Sequence, residues 1–241
     1  VTITHIFFEL NNVLVDSRQM PACYAHHLGQ VMAARYGGQP EAWTNAHLRI
    51  RDDWDSYFAD LDLDGDEGLA DMWEGELRVT RALFRLTHTP EPDLSTLTAL
   101  SRELPYLATR NCNTLYPDIK PVIEKLHAAG FILGVATHAT TAQARGTLEG
   151  GGVIDQFAGT FLCPDFTEHF SKNRDFFLAA PLTPENCLVV DHSLDGIRGA
   201  KAAGMWAVQV VRKGIPPTDS PADHLLTGDL YGLLDYLGIS P

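Results

Sequence analysis

The sequence predicts an α/β fold of three layers: a parallel sheet covered by helices on both faces, opened after its first strand by a helical insert. Three observations carry this expectation. A largely apolar, β-favouring run from Ile3 to Phe8 ends in a carboxylate, Glu9. That is how a buried parallel strand delivers a side chain to the C-terminal edge of a sheet, where open α/β folds place their ligands. Residues 17–111 then carry helical periodicity throughout, and from residue 112 onward strand and helix patterns alternate, the rhythm of a parallel sheet.

In the insert, apolar residues recur three and four apart over 21–36, 41–59, 69–86 and 94–104, and Pro40, Gly65, Gly68, Pro90 and Pro92 punctuate the patterns. Beyond it, Tyr116-Pro117-Asp118 opens a helix with proline near its first turn, stopped at Gly130. A strand over 131–136, a helix over 141–148 and a strand over 159–163 follow. Residues 176–180 read as a short helix, 187–190 as a strand, 196–203 as a helix and 206–211 as the last clear strand. A helix over 229–237 closes the chain, and no internal repeat or low-complexity segment appears.

Composition narrows the function. With 241 residues the chain can hold one large domain or a core with an insert. Its 18 basic against 31 acidic residues give a formal net charge of −13, which argues against nucleic acid or an anionic membrane surface as partner. A small phosphorylated ligand remains compatible, since one lysine and a few backbone N–H groups hold it locally. Cys23, Cys112, Cys163 and Cys187 are scattered without a Cys-x-x-Cys pair, which predicts four reduced thiols. No apolar run approaches the ~20 residues of a membrane span. The chain enters its first strand with no leader pattern, so a cytoplasmic location is the expectation. Nothing in the sequence sets an oligomeric state.

Four short stretches carry chemistry. Phe8-Glu9-Leu10-Asn11-Asn12-Val13-Leu14-Val15-Asp16-Ser17 resembles motif I of the haloacid dehalogenase-like (HAD) hydrolases, usually Phe-Asp-Leu-Asp-Gly-Val-Leu-Val-Asp-Ser. Leu133-Gly134-Val135-Ala136-Thr137-His138 is similar to motif II, Ser171-Lys172 to motif III, and Leu188 to Gly196 to motif IV. In the family the metal-binding Asp lies twelve residues before the Gly of an Ala-Gly-Met turn. Counting back from Gly204 in Ala203-Gly204-Met205 reaches His192, and Asp191 then matches the Glu of Glu-Asp-Ser variants.

The resemblance covers essentially the whole chain. It implies a Rossmann-like HAD core at 1–16 and 112–241 and a helical cap at 17–111, of the kind found in dehalogenases, phosphonatases and β-phosphoglucomutases. It also implies hydrolysis of a small phosphorylated or halogenated metabolite by covalent attack from motif I, with Mg²⁺. On that pattern Glu9, Asn11 and Lys172 are the catalytic positions, and Asn12, Thr137, His138 and Lys172 bind the anion. Glu9, Asn11, Asp191 and His192 are the metal positions, with His138 as a further candidate.

Three of these positions depart from the family. Glu9 replaces the nucleophilic Asp, Asn11 the acid/base Asp, and His192 the metal-binding Asp; Asn12 also stands for Gly. Glu9 carries its carboxylate one C–C bond further out, and a misplacement near ~1 Å can cost on the order of 10²-fold. Asn11 cannot protonate a leaving group, a loss of typically ~10²–10⁴-fold. Imidazole is a poor Mg²⁺ ligand. Three functions follow as alternatives: a weakened or reassigned hydrolase, a pseudoenzyme binding a metabolite or partner, and a metalloenzyme with Zn²⁺ or Fe²⁺ on Glu9, His138 and His192. Both histidines as polar fillers, bonded to Glu9 and Asp191, is the plainer reading.

In the cap, Asp60, Asp62, Asp64, Gly65 and Asp71 stand at positions 1, 3, 5, 6 and 12 of an EF-hand-like loop. Asp71 is shorter than the usual Glu and Glu67 sits at a normally apolar position, so weak Ca²⁺ binding competes with a solvated acidic turn. His5, His26, His27 and His88 read as ordinary histidines, and His169 could reach the pocket mouth. Trp43, Trp54 and Trp73 read as cap core or interface. The resemblance implies that substrate choice falls to cap segments 18–24 and 105–114, which carry no diagnostic motif.

Overall fold

A computed structural model of the chain describes residues 2–65 and 67–239; Val1, Asp66, Ser240 and Pro241 lie outside the described residues. Six strands form one sheet: β1 (His5–Phe8), β2 (Ile132–Ala136), β3 (Phe161–Leu162), β4 (Cys187–Asp191), β5 (Trp206–Val211) and β6 (His224–Thr227). All pairs are parallel, in the order β3-β2-β1-β4-β5-β6. Side chains alternate between the two faces, as the strand period of two requires. Ile6, Phe8, Leu133, Val135, Leu188 and Val190 enter one buried cluster. Phe7, Ala136, Cys187, Val189 and Ala207 enter another on the opposite face.

Helices cover both faces. α5 (Ile119–Ala128), α6 (Thr141–Gly150) and α10 (Tyr231–Tyr236) pack on the first cluster. The short α8 (Arg174–Leu178) and α9 (Leu194–Ala202) pack on the second. The short α7 (Pro164–Thr167) follows β3. Between β1 and α5 lies the helical insert of α1 (Met20–Tyr36), α2 (Pro40–Asp52), α3 (Gly68–Leu86) and α4 (Leu94–Thr109). It has its own apolar cluster, built from Leu28, Met32, Trp43, Phe84, Leu97 and Leu104 among others. Trp43 is fully buried, meets Phe84 edge-on at 5.3 Å and donates Nε1–H to the Gly37 carbonyl at 2.9 Å. Trp54 and Trp73 are half-buried. Among the described residues no helix is long and apolar enough to cross a membrane.

Four expectations need correction. The second insert helix stops at Asp52, and a separate 3-10 turn covers Trp54–Tyr57. α4 continues through Pro105 to Thr109 because Leu104, Leu107 and Ala108 keep burying one face, while the proline removes only one N–H donor. A sixth strand, His224–Thr227, extends the sheet; as a short and mostly exposed edge it lacks a clear apolar pattern. Cys23 on α1 and Cys112 just beyond α4 form a disulfide, with Cα atoms 5.8 Å apart across 89 residues of sequence. Only Cys163 and Cys187 are free, both buried. Helix packing, which sequence spacing does not display, brings the pair together.

Candidate functional site

Register places the site. Phe8 pairs with Val135 on one side and with Val190 on the other, so Glu9, Thr137 and Asp191 leave adjacent strands at the same edge. All three are buried, as is Lys172, which arrives from the loop before α8. Asn173 N-caps α8, accepting from the N–H groups of Asp175 and Phe176 at 3.0 Å each. Two glycines of α9 allow the close packing. A Cβ on Gly196 would strike the Asp191 carboxylate, and one on Gly199 the Lys172 carbonyl.

Within this group, the Lys172 ammonium donates to Glu9 Oε2 and to Asp191 Oδ2, the latter at 2.7 Å. Glu9 Oε1 accepts from the Thr137 hydroxyl at 2.7 Å and from the Asn11 N–H at 2.9 Å. Asp191 Oδ1 accepts from the N–H and hydroxyl of Ser193 at 2.8 and 3.0 Å, and its contact with His192 Nδ1 is 3.2 Å. Burial opposes the charge on Lys172, but the two carboxylates outweigh it and raise its pKa. Burial likewise opposes ionised Asp191; Lys172, His192 and the Ser193 N–H outweigh that and hold it well below the ordinary carboxylate range.

The other predicted residues lie at the rim. Asn12 adopts a left-handed backbone with φ 56°, a conformation Asn tolerates better than other side chains, which is how it replaces glycine. Asn11 is half-buried, and Ser17 reaches its side-chain oxygen at 3.5 Å. His138 is exposed, its ring 5.4 Å from that of Phe170. Desolvation and then the Lys172 ammonium hold its pKa below the usual imidazole value. Its backbone N–H makes no hydrogen bond among the described residues. His192 is half-buried and lines a cleft of about 460 Å³ with Asn12, Gln209, Arg18, Arg212 and Lys213. His169 stands with Asp64 and Gly65 of the cap loop.

Sequence reasoning missed Arg212. Its guanidinium bonds the Asp118 carboxylate at 2.7 Å and the Val13 carbonyl at 2.5 Å, and stacks on Tyr116 at 4.2 Å. It thereby anchors the loop that follows β1. A lone arginine after the fifth strand offers no motif by which to find it.

The proposed metal sets do not assemble. Among the described residues the one group of three whose ligand atoms lie within 4.8 Å of one another is Cys23, His27 and Cys112, and its two thiols are joined. Glu9, His138 and His192 are not such a group. The residues present do not fit Mg²⁺ either. Lys172 stands between the Glu9 and Asp191 carboxylates, the free Asp191 oxygen is filled by Ser193, and the neighbouring position offers imidazole. In the acidic cap stretch Asp66 lies outside the described residues, and its neighbours are already bonded. α3 begins at Gly68, so Asp71 sits in its first turn and caps the Asp62 N–H at 2.8 Å, while Asp60 pairs with Arg78 at 2.5 Å.

A family model described as haloacid dehalogenase-like hydrolase matches residues 3–204. A 2-haloacid dehalogenase from Pseudomonas syringae pv. tomato is similar in structure, with TM-score 0.63 and 22% identity over 98% of this chain and 99% of that one. A HAD phosphatase from Thermococcus onnurineus aligns with TM-score 0.57 and 22% identity over 98% of each chain. An L-2-haloacid dehalogenase from Xanthobacter autotrophicus, with chloropropionic acid covalently bound, aligns with TM-score 0.56 and 17% identity over 98% and 99%. At these identities the likeness speaks for the fold. No curated protein sequence matches.

Proposed function

The chain belongs to the haloacid dehalogenase-like hydrolases, and from that premise we propose that it binds a small phosphorylated or halogenated metabolite beside Glu9, Asn12, Thr137, His138 and Lys172, and hydrolyses it slowly or by reassigned chemistry. The core is taken as 1–16 and 112–241, with 17–111 as the cap closing over it. One observation carries the reading: the Glu9 carboxylate is bonded by Lys172 and Thr137, at the motif I position from which the family attacks. Arg18, Arg212 and Lys213 beside Asn12 and His192 favour an anionic ligand in a chain whose net charge is −13.

The chemistry follows from the groups present. A Glu9 oxygen would attack the electrophilic phosphorus or carbon, and the leaving group would depart with the bonding electrons. Water would then cleave the glutamyl intermediate and restore the carboxylate. Asn11 supplies no proton, so groups that leave as stable anions, such as halide or nitrophenolate, are favoured over alkoxides.

A second reading has its own support. The Thr137 hydroxyl and the Lys172 ammonium, which would bind a substrate anion, are both committed to Glu9. The longer side chain thus lies in the cradle itself, as in a non-catalytic binder. Release of chloride from a chloropropionate and of nitrophenolate from nitrophenyl phosphate, compared with Glu9→Ala, separates the two readings. Turnover lost in the variant supports the hydrolase. Saturable phosphate-ester binding without turnover, tightened in Glu9→Ala, supports the binder.

A further inference from the structure

The cap encloses a second cavity, of about 240 Å³, that shares no residue with the Glu9–Lys172–Asp191 group. All four cap helices line it, and Gln143 of α6 closes one side. Most of the wall is apolar: Leu28, Trp54, Val79, Leu83, Leu104 and Pro105.

Its polar groups are unusual for a helix-bundle interior. His47 is 7% exposed, and its Nδ1 has no hydrogen-bond partner among the described residues. Glu76 makes no side-chain hydrogen bond or ion pair among the described residues. The Tyr24 ring stacks on His47 at 4.9 Å, and its hydroxyl is likewise without a partner among the described residues. Buried polar groups in native proteins are nearly always bonded, and a group that is not calls for a ligand, a water or a functional reason.

The charges facing the cavity are few. α1 contributes Tyr24, α2 contributes His47 and Arg51, and α3 contributes Glu76; α4 and α6 contribute only the uncharged Ser101, Leu104, Pro105 and Gln143. Arg51 is exposed and forms no ion pair with Glu76. Burial and then Arg51 push the His47 imidazole down to about 4, so the ring is neutral near pH 7. Burial alone pushes the Glu76 carboxyl up to about 7. The cavity therefore holds one carboxylate without a counter-ion, beside a neutral imidazole and a phenol, within apolar walls.

We propose that this cavity binds a small organic ammonium ion with an apolar body, its charge facing Glu76 and its hydrocarbon lying against Leu28, Val79, Leu83 and Leu104. An ammonium brings the missing charge and N–H donors for the Glu76 carboxylate, while the apolar body replaces water along the walls. A carboxylic acid would place a second anion beside Glu76, and a neutral alcohol would leave the carboxylate uncompensated. The cavity has no lining residue in common with the Glu9–Lys172–Asp191 group.

Phenethylamine, phenethyl alcohol and hydrocinnamate, titrated calorimetrically into the whole protein at pH 8, test this directly. The amine binds saturably, at least about ten-fold tighter than either of the others, and Glu76→Gln weakens it by a similar factor. A second measurement needs no variant: amine affinity of the unaltered protein falls several-fold from pH 8 to pH 5.5 as Glu76 takes up its proton. No amine binding, equal binding of alcohol or acid, or amine binding indifferent both to pH and to Glu76→Gln overturns the proposal.

Discussion

The sheet edge and the cap cavity bury charge in opposite ways. At the edge, two carboxylates share one ammonium, and each carboxylate is further bonded by a hydroxyl and a backbone N–H. In the cap, half-buried Glu76 and buried His47 make no side-chain hydrogen bond or ion pair among the described residues. A compensated cluster holds its shape by itself and resists a newcomer, because a ligand must compete with Glu9 for Thr137 and Lys172. An uncompensated one holds a carboxylate at a cost that a ligand can relieve. The difference also sets opposite pH dependences. Asp191, held low, contributes stability that is complete above its ordinary value of 3.8 and lost as pH falls through its lower native value. Lys172, held high, contributes stability complete below its ordinary value of 10.5 and lost as pH rises beyond it. Glu76, raised from 4.5 to about 7, instead loses stability as pH climbs between those values.

The contrast can be broken at several points. The largest expected effect is on activity: Asn11→Asp in a Glu9→Asp background would supply the family's acid/base and shorten the proposed nucleophile. Hydrolysis of an alkyl phosphate should rise by about 10²–10⁴-fold over the unaltered chain; an unchanged rate would mean that His192 or the occupied cradle, not these two positions, limits the reaction. On stability, Lys172→Met leaves Glu9 and Asp191 facing each other without a cation. Urea unfolding at pH 7 should show a loss of about 3–5 kcal/mol, partly recovered at pH 4 where one carboxylate can take up a proton.

The disulfide ties the helical insert to the sheet's apolar cluster, since Cys23 belongs to α1 and Cys112 packs in that cluster. Reduction, or Cys23→Ser, should cost about 2–4 kcal/mol, read as a fall in melting temperature that reductant produces in the unaltered chain but not in the variant. The smallest effect carries the most telling sign. Glu76→Gln should stabilise the protein by on the order of 1–3 kcal/mol at pH 8 and by nothing measurable at pH 4. A variant less stable than the parent at pH 8 would mean that Glu76 has a partner after all.

Much of the site was readable before any coordinates. Strands that end in Glu9, Thr137 and Asp191 announce themselves as continuous apolar runs, and parallel pairing brings such ends to one edge. The four cap helices show their period plainly, and their borders shift where local effects compete, as at Asp52 and Pro105.

By itself, then, the sequence determined the layer order, the helical insert, and which side chains reach the sheet edge, because strand and helix periods are local properties of the chain. Tertiary packing alone decided which of those side chains touch. It committed Thr137 and Lys172 to Glu9 and joined Cys23 to Cys112. It also left Glu76 and His47 unpaired inside the cap. A buried polar residue on a helix looks the same in sequence whether or not a partner waits across the gap. Whether its charge is compensated depends on distances between elements far apart in the chain.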